Sequence, residues 1–142
     1  MGDTGKYPAY ATATASGNLG WVWNASTSDV RAMQRIGSTA RVAACWYGPA
    51  TVGSSFTVSV KIADGKSHKV SIYALDWDSS VRVQQVQVLD TATGTVLDNR
   101  TLSSFNGGEY LAWDIAGNVT IRFTKVAGAN AVMDGLFFDP PQ

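Results

Sequence analysis

Short segments in which apolar and polar residues alternate are the feature of this chain that most limits its fold. The clearest is segment 56–62, FTVSVKI, in which every second side chain is apolar. A period of two is that of a β-strand with one buried face, and it does not fit a helix. The sequence therefore predicts strands, and the residues between them have to form turns.

Similar segments, separated by turns that contain glycine, recur along the whole chain. Segments 56–62 and 68–75 form one predicted hairpin, and 81–88 and 95–102 form a second around the TATG turn at 91–94. Segment 29–36 is ambiguous: we favour a strand, and the alternative is a helical turn capped by Ser28 or Asp29. The remaining predicted strands are 10–15, 20–24, 41–46, 109–113, 118–124 and 131–138.

The number of strands sets the fold class. About nine or ten short strands, with turn signals every 8–12 residues, are typical of an all-β protein, an antiparallel β-sandwich of the jelly-roll type. The 142 residues are enough for one domain with a hydrophobic core, and no linker or repeat divides them. We expect one domain, 1–142, excised from a longer protein, because Met1-Gly2 resembles an expression scar and the chain ends in a proline pair followed by Gln142.

Charge and cysteine content exclude several classes of function. Eleven basic and eleven acidic residues give a net charge of zero, which argues against nucleic acid and anionic membrane surfaces as partners. The single cysteine, Cys45, excludes an internal disulfide and a zinc site made of several thiolates. It lies in the apolar run VAACW, so we expect a buried core residue.

Few residues are suited to catalysis. His68 is the only histidine, and its place at the foot of a predicted hairpin indicates a solvated turn residue. A hydrolase would need two carboxylates, and Asp76 and Asp78 flank Trp77 after a predicted strand. Aspartates in loops usually stabilise turns, so we expect a protein that is not an enzyme.

The chain is rich in amphipathic aromatic residues, with five Trp and five Tyr. Such rings stack on sugars or anchor interfaces, although many of them must also fill the core. Trp21 and Trp23 share a face of one predicted strand, whereas Trp46 and Tyr47 point to opposite faces, so at least one of that pair should be exposed. With polar residues that can hydrogen-bond hydroxyls, the candidate ligand-binding residues are Trp23, Arg31, Trp46, Tyr47, Asp76, Trp77, Asp78, Arg82 and Asn130.

Two other interpretations of the polar residues stay open. Arg31 or Arg82 could instead pair with Asp76 or Asp78 in a structural network. We expect no cofactor, but the Asp76–Asp78 loop and the turn at Asp64 offer the oxygen ligands that a structural calcium ion would take.

Three segments resemble a known class of domain: SDVRAMQ at 28–34, SIYALDWD at 71–78 and NAVMDGLFF at 130–138, with VLD at 96–98 and YLAW at 110–113 in addition. They are similar to non-catalytic carbohydrate-binding modules of secreted bacterial proteins, and the similarity covers nearly the whole chain. The resemblance implies a jelly-roll domain outside the cell that holds an attached glycoside-active enzyme near polysaccharide. It identifies neither the sugar nor the binding residues.

The resemblance also bears on the N-terminus. Related domains carry a segment that contains Gly and Tyr before the residues equivalent to 7–10 of this chain. The resemblance implies that this chain begins after that segment. A sheet edge would then be unpaired, which allows a dimer by edge pairing.

Three functional hypotheses follow. The first is a carbohydrate-binding module, and the second is a structural or adhesion domain that binds another protein through its sheet surface. The third is a small hydrolase or lyase that uses Asp76 and Asp78.

Overall fold

The computed structural model describes residues 7–140, which form twelve β-strands and no helix. This part of the chain accordingly has no helix of the length and apolarity needed to cross a membrane. The strands are β1 (Ala11–Ser16), β2 (Leu19–Thr27), β3 (Met33–Gln34), β4 (Arg41–Tyr47), β5 (Ser55–Ile62), β6 (His68–Ala74), β7 (Val83–Asp90), β8 (Val96–Ser103), β9 (Glu109–Ile115), β10 (Asn118–Ala127), β11 (Val132–Met133) and β12 (Gly135–Phe138).

The first layer is a five-stranded antiparallel sheet in the order β1-β5-β10-β7-β8. Alternation in β5 and β10 sends apolar side chains inward, and Val58 and Ile121, which are register partners, are both buried. The outer face carries polar residues, such as Arg122, which donates to Gln87 on the neighbouring strand. One apolar face per sheet is what a sandwich requires.

The second layer divides into two parts. One part has the order β12-β6-β9 and the other the order β11-β4-β2, and Asp134 alone separates β11 from β12. β4 pairs with β11 only at Trp46 and Tyr47, whereas its first residues pair with β3. Segment 28–34 therefore passes along β4 at the place where β4 and β12 have separated.

The core lies between the two layers and confirms the antiparallel β-sandwich of jelly-roll type. Phe56 and Phe123 stack at its centre with ring centroids 4.7 Å apart, and burying one such ring contributes about 1.5–3 kcal/mol. Cys45 is buried in this core as expected, and burial raises the pKa of its thiol.

The structure confirms one of the two hairpins and corrects the other. β7 and β8 pair as expected, from Val83 opposite Ser103 to Leu89 opposite Val96. The hairpin of 56–62 and 68–75 is wrong, because β5 pairs with β1 and β10 while β6 pairs with β9 and β12. The turn at 63–67 carries the chain from one layer to the other. Turn residues show where a strand ends, but they do not determine which strand lies beside it.

Segment 29–36 is not the strand that we expected, since only Met33–Gln34 is extended and paired. The Asp29 carboxylate accepts a hydrogen bond from the backbone N–H of Arg31 at 2.9 Å. A side chain that satisfies the backbone two residues along favours a turn over a sheet ladder.

His68 is buried, so the prediction of a solvated turn histidine is wrong. Its Nε2 lies 2.9 Å from Asp64 Oδ2, and its ring stacks on Tyr10 at 3.8 Å between centroids. The Tyr10 hydroxyl donates to the carbonyl of Asp139 at 2.5 Å. His68 thus helps to hold the start and the end of the described chain against the sandwich.

Candidate functional site

The loop between β6 and β7 is closed by a network of charges around Arg82. The buried Asp76 carboxylate accepts hydrogen bonds from the Arg82 guanidinium and from Ser79 Oγ, the latter at 2.7 and 2.8 Å to its two oxygens. Arg82 also donates to Asp78 Oδ1 at 2.5 Å and to Asn130 Oδ1 at 3.1 Å. A buried charge pair persists only when its remaining groups are hydrogen-bonded, and here they are.

An aromatic ring also contacts the Arg82 guanidinium, and this guanidinium in turn lowers the pKa of Asp78. The Arg82 guanidinium lies 5.9 Å from the centroid of the Trp23 ring. Burial of Asp78 raises its pKa, but the hydrogen bond and the charge of Arg82 outweigh burial and hold the pKa below its ordinary value.

The backbone of Gly128 lies against Arg82. A Cβ at Gly128 would lie 2.7 Å from the Arg82 Cα, and Gly128 has a φ of +79°. Only glycine fits the backbone approach and the conformation at that position.

The Trp77 ring contacts a second arginine, Arg31, whose guanidinium lies 4.8 Å from the ring centroid. Arg31 does not pair with Asp76 or Asp78. Instead its Nη2 lies 2.7 Å from Asp29 Oδ2, and its Nη1 donates to the carbonyl of Asn106 at 2.8 Å. Side-chain and backbone hydrogen bonds from Arg31 lower the pKa of Asp29. The structural pairing that we considered therefore applies to Arg82 and not to Arg31.

A pocket of about 440 Å³ lies beside Arg31. One wall is the segment that passes along β4, and the other consists of β6, β9, β12 and the loop before β9. We call it the split-sheet pocket, because it lies where the second layer divides. Its lining residues are Val30, Arg31, Ala32, Met33, Gln34, Arg41, Tyr73, Gly107, Gly108, Tyr110 and Phe137.

Three aromatic rings on neighbouring strands form one side of this pocket. Tyr73 and Tyr110 are register partners with centroids 4.6 Å apart, and Phe137 lies 5.9 Å from Tyr110. Tyr110 is 62% exposed, whereas Tyr73 is buried and donates its hydroxyl to the carbonyl of Arg31 at 2.8 Å. Burial raises the pKa of Tyr73 to about 12. Phe137 is half-buried, so Tyr110 is the ring of the three that is most open to a ligand.

The opposite wall supplies polar groups. Arg41 Nη1 donates to the carbonyls of Ala32 and Val30, at 2.8 and 3.3 Å, which holds the wall in place. The Gln34 amide donates to the carbonyl of Ser38 at 2.6 Å. The pocket therefore combines an exposed ring with nearby guanidinium and amide groups, a composition typical of small-ligand sites.

The sequence-predicted site residues fall into separate groups. The Arg82 network brings together Trp23, Asp76, Asp78, Arg82 and Asn130. Arg31 lines the split-sheet pocket, and Trp77 packs on its guanidinium. The expected exposure of Trp46 or Tyr47 is wrong, since both are half-buried and pack against the core.

Of the predicted residues, Arg31 alone lines the pocket, and the aromatic row of Tyr73, Tyr110 and Phe137 was missed. These residues lie on three strands far apart in sequence, and only the sheet register brings them together. Each of the three lies in a segment that carries the resemblance, Tyr73 in 71–78, Tyr110 in 110–113 and Phe137 in 130–138, but nothing in those segments shows that the rings meet.

No group of three or more His, Cys, Asp or Glu side chains within residues 7–140 is arranged to hold a metal ion. The calcium site considered at Asp64 or at the Asp76–Asp78 loop stays a prediction.

No protein-family model matches this sequence, and neither does any curated protein. Solved structures do match. The family 32 carbohydrate-binding module of C. perfringens NanJ, solved in complex with galactose, has a TM-score of 0.51 at 12% identity, over 92% of this chain and 95% of that one. This chain has the fold of carbohydrate-binding modules. A family 35 module from Clostridium thermocellum has a TM-score of 0.50 at 13% identity, over 87% and 88% of the two chains. At such identities the likeness concerns the fold, and a function has to be argued from the site.

Proposed function

We propose that this protein is a non-catalytic carbohydrate-binding domain and that the split-sheet pocket is its binding site. The observation that carries the proposal is the exposed Tyr110 ring, which faces a pocket edged by the Arg31 guanidinium. The apolar face of a pyranose stacks on such a ring, and its hydroxyls accept from guanidinium and amide groups. The fold shared with carbohydrate-binding modules supports this assignment.

The role within a larger protein is part of the same proposal. A domain that binds glycan without transforming it acts by holding an attached enzyme near its polysaccharide substrate. The resemblance of the sequence to modules of secreted bacterial proteins supports this role and a place outside the cell.

Asp76 and Asp78 are assigned a structural role in this proposal. Both carboxylates bind the same guanidinium, and Asp76 is fully buried, with its two oxygens already accepting hydrogen bonds. A glycosidase needs its two carboxyl groups on either side of the scissile bond. The arrangement favours closure of the loop over acid–base chemistry.

The test is a titration of the protein with a panel of neutral oligosaccharides, in which binding is measured by calorimetry and by tryptophan fluorescence. Fluorescence should respond because the Trp77 ring contacts Arg31, which lines the pocket. We expect saturable binding that weakens at least about tenfold in Tyr110→Ala, a loss of ~1.4 kcal/mol. Because Tyr110 is exposed, the variant should stay folded and lose only about 0.2–1 kcal/mol of stability with its contacts to Tyr73 and Phe137.

The matched control is Trp21→Ala, which removes another exposed ring, 56% accessible and outside the pocket. We expect it to bind like the wild type. Absence of binding to any sugar of the panel, or binding that depends on Trp21 and not on Tyr110, would contradict the proposal.

A second function, association of two copies through β2, is favoured by the exposure of that strand. β2 pairs with β4 on one side and with no other strand of residues 7–140. It exposes Leu19, Trp21 and Val22 and contains no charged residue that would repel its copy. Register shifts after Val22 limit regular pairing to its first residues, so we expect a weak dimer.

Light scattering over a range of concentrations tests this association. A dimer that Val22→Lys converts to a monomer would support the second function. A wild type that stays monomeric at the highest concentration would rule it out.

A further inference from the structure

We propose that Asp29 makes the split-sheet pocket selective for neutral glycans over glycans that carry a carboxylate. The inference rests on the proposed function and concerns the chemical class of the sugar. It starts from the contacts of Arg31, the only arginine of the pocket that has a carboxylate partner within residues 7–140.

Asp29 occupies the side of the guanidinium that would bind a ligand carboxylate. Arg31 Nε lies 3.2 and 3.1 Å from the two Asp29 oxygens, and Nη2 lies 2.7 Å from Oδ2. This is the two-point geometry by which arginine recognises carboxylates in general. A uronic acid would have to displace Asp29 from it.

Asp29 is also held by the backbone, so displacement is costly. The same carboxylate accepts the backbone N–H of Arg31 at 2.9 Å, and the Asp29 N–H donates to Thr27 Oγ1 at 3.1 Å. These contacts keep the negative charge beside the guanidinium. The lowered pKa of Asp29 means that this charge persists throughout the neutral range.

The other contacts of Arg31 leave it suited to hydroxyl groups. One face lies over Trp77 and Nη1 binds the Asn106 carbonyl, so the guanidinium is fixed in place. A guanidinium donates about five N–H groups, and the contacts described use only part of them. Its charge is compensated, but its remaining donors can still bind an uncharged oxygen.

The second arginine of the pocket, Arg41, directs Nη1 at the carbonyls of Val30 and Ala32. These bonds join the wall to β4, and the charge of Arg41 acts on Asp29 as well, where it helps to lower the pKa of that carboxyl. The Asp29–Arg31 pair remains the element on which discrimination depends.

The experiment compares a neutral hexose oligosaccharide with the matching uronic acid oligosaccharide on wild type and Asp29→Asn. Asparagine keeps the shape and one acceptor but removes the charge. A unit charge at about 4 Å in water contributes about 1 kcal/mol, so we expect the ratio of uronate to neutral affinity to rise about fivefold in the variant. The gain should shrink with added salt, as a charge effect requires.

The chain contains a matched control in Asp98 and Arg100, which repeat the Asp-x-Arg spacing outside the pocket. Arg100 Nε lies 2.7 Å from Asp98 Oδ2, with side-chain exposures of 40% and 34%, against 34% and 31% for Arg31 and Asp29. Asp98→Asn should leave the affinity ratio unchanged.

The outcomes separate this inference from the proposed function. Equal binding of both sugars by the wild type, or a ratio that Asp29→Asn does not raise, overturns the selectivity and leaves carbohydrate binding intact. If the wild type binds neither sugar, both the selectivity and the proposed carbohydrate binding are overturned. Should Asp29→Asn fail to fold, the wild type still decides, because selectivity requires that it bind the neutral sugar more tightly than the uronate at low salt.

Discussion

Replacing Gly108 with alanine should destabilise the protein. A Cβ at Gly108 would lie 1.8 Å from the Tyr73 hydroxyl oxygen and 2.5 Å from its Cζ, and Gly108 has a φ of +85°. The left-handed conformation costs a non-glycine residue about 1 kcal/mol. The Tyr73 ring would also have to move, which breaks its hydrogen bond to the carbonyl of Arg31 at about 1 kcal/mol more.

With about 1 kcal/mol more for forcing a methyl group against a buried ring, these contributions sum to about 3 kcal/mol. Urea denaturation at neutral pH measures the change as a lower midpoint with an unchanged slope. Gly107→Ala is the matched control, since a Cβ at Gly107 has nothing within 4 Å and Gly107 has no positive φ. A Gly108→Ala protein within about 0.5 kcal/mol of the wild type would refute the argument that this glycine is required.

Three other predictions concern buried groups. Burial raises the pKa of Asp134 well above its ordinary value, so the folded state holds a proton that the unfolded state releases, and stability should fall as the pH rises above about 4. Asp134→Asn can still accept from the Leu75 N–H, and it should reduce the dependence of the free energy of unfolding on pH. Urea denaturation at several pH values measures this dependence, and an unchanged dependence would contradict the assignment. Arg82→Met should cost about 3–5 kcal/mol in urea denaturation, because it leaves the Asp76 carboxylate buried without its cation, and a loss below about 1 kcal/mol would count against the network. Cys45 should react with a thiol reagent only on unfolding, and rapid modification of the native protein would show that the core opens.

The sequence predicted the strands well, because alternation is a local property. β5 and β10 have one buried face each, and the pairing of β7 with β8 follows from the short turn between them. The partners of β5 did not follow from its pattern, since β1 and β10 reach it from distant parts of the chain. Local patterns fix which side of a strand is buried, but not which strand lies next to it.

The candidate site shows the same division. The association of Arg82 with Asp76 and Asp78 could be anticipated, because a single loop contains all of them. The row of Tyr73, Tyr110 and Phe137 could not, because it depends on the register of three strands.

The shared face expected for Trp21 and Trp23 is lost for another reason. The pairing of β2 with β4 shifts between Val22 and Asn24, which turns Trp23 towards Arg82 and leaves Trp21 exposed. A bulge of this kind has no clear signature in the residues that form it.

The division of the second layer leaves one wall of the split-sheet pocket almost free of the sheets that maintain the fold. Between β2 and β4, only Met33–Gln34 joins a sheet, and of residues 28–40 only Ala32 is buried. Substitutions or changes of length outside Met33–Gln34 alter one wall of the pocket while the strands keep their ladders. Directed evolution of new binding specificities on this scaffold should therefore begin by randomising this segment.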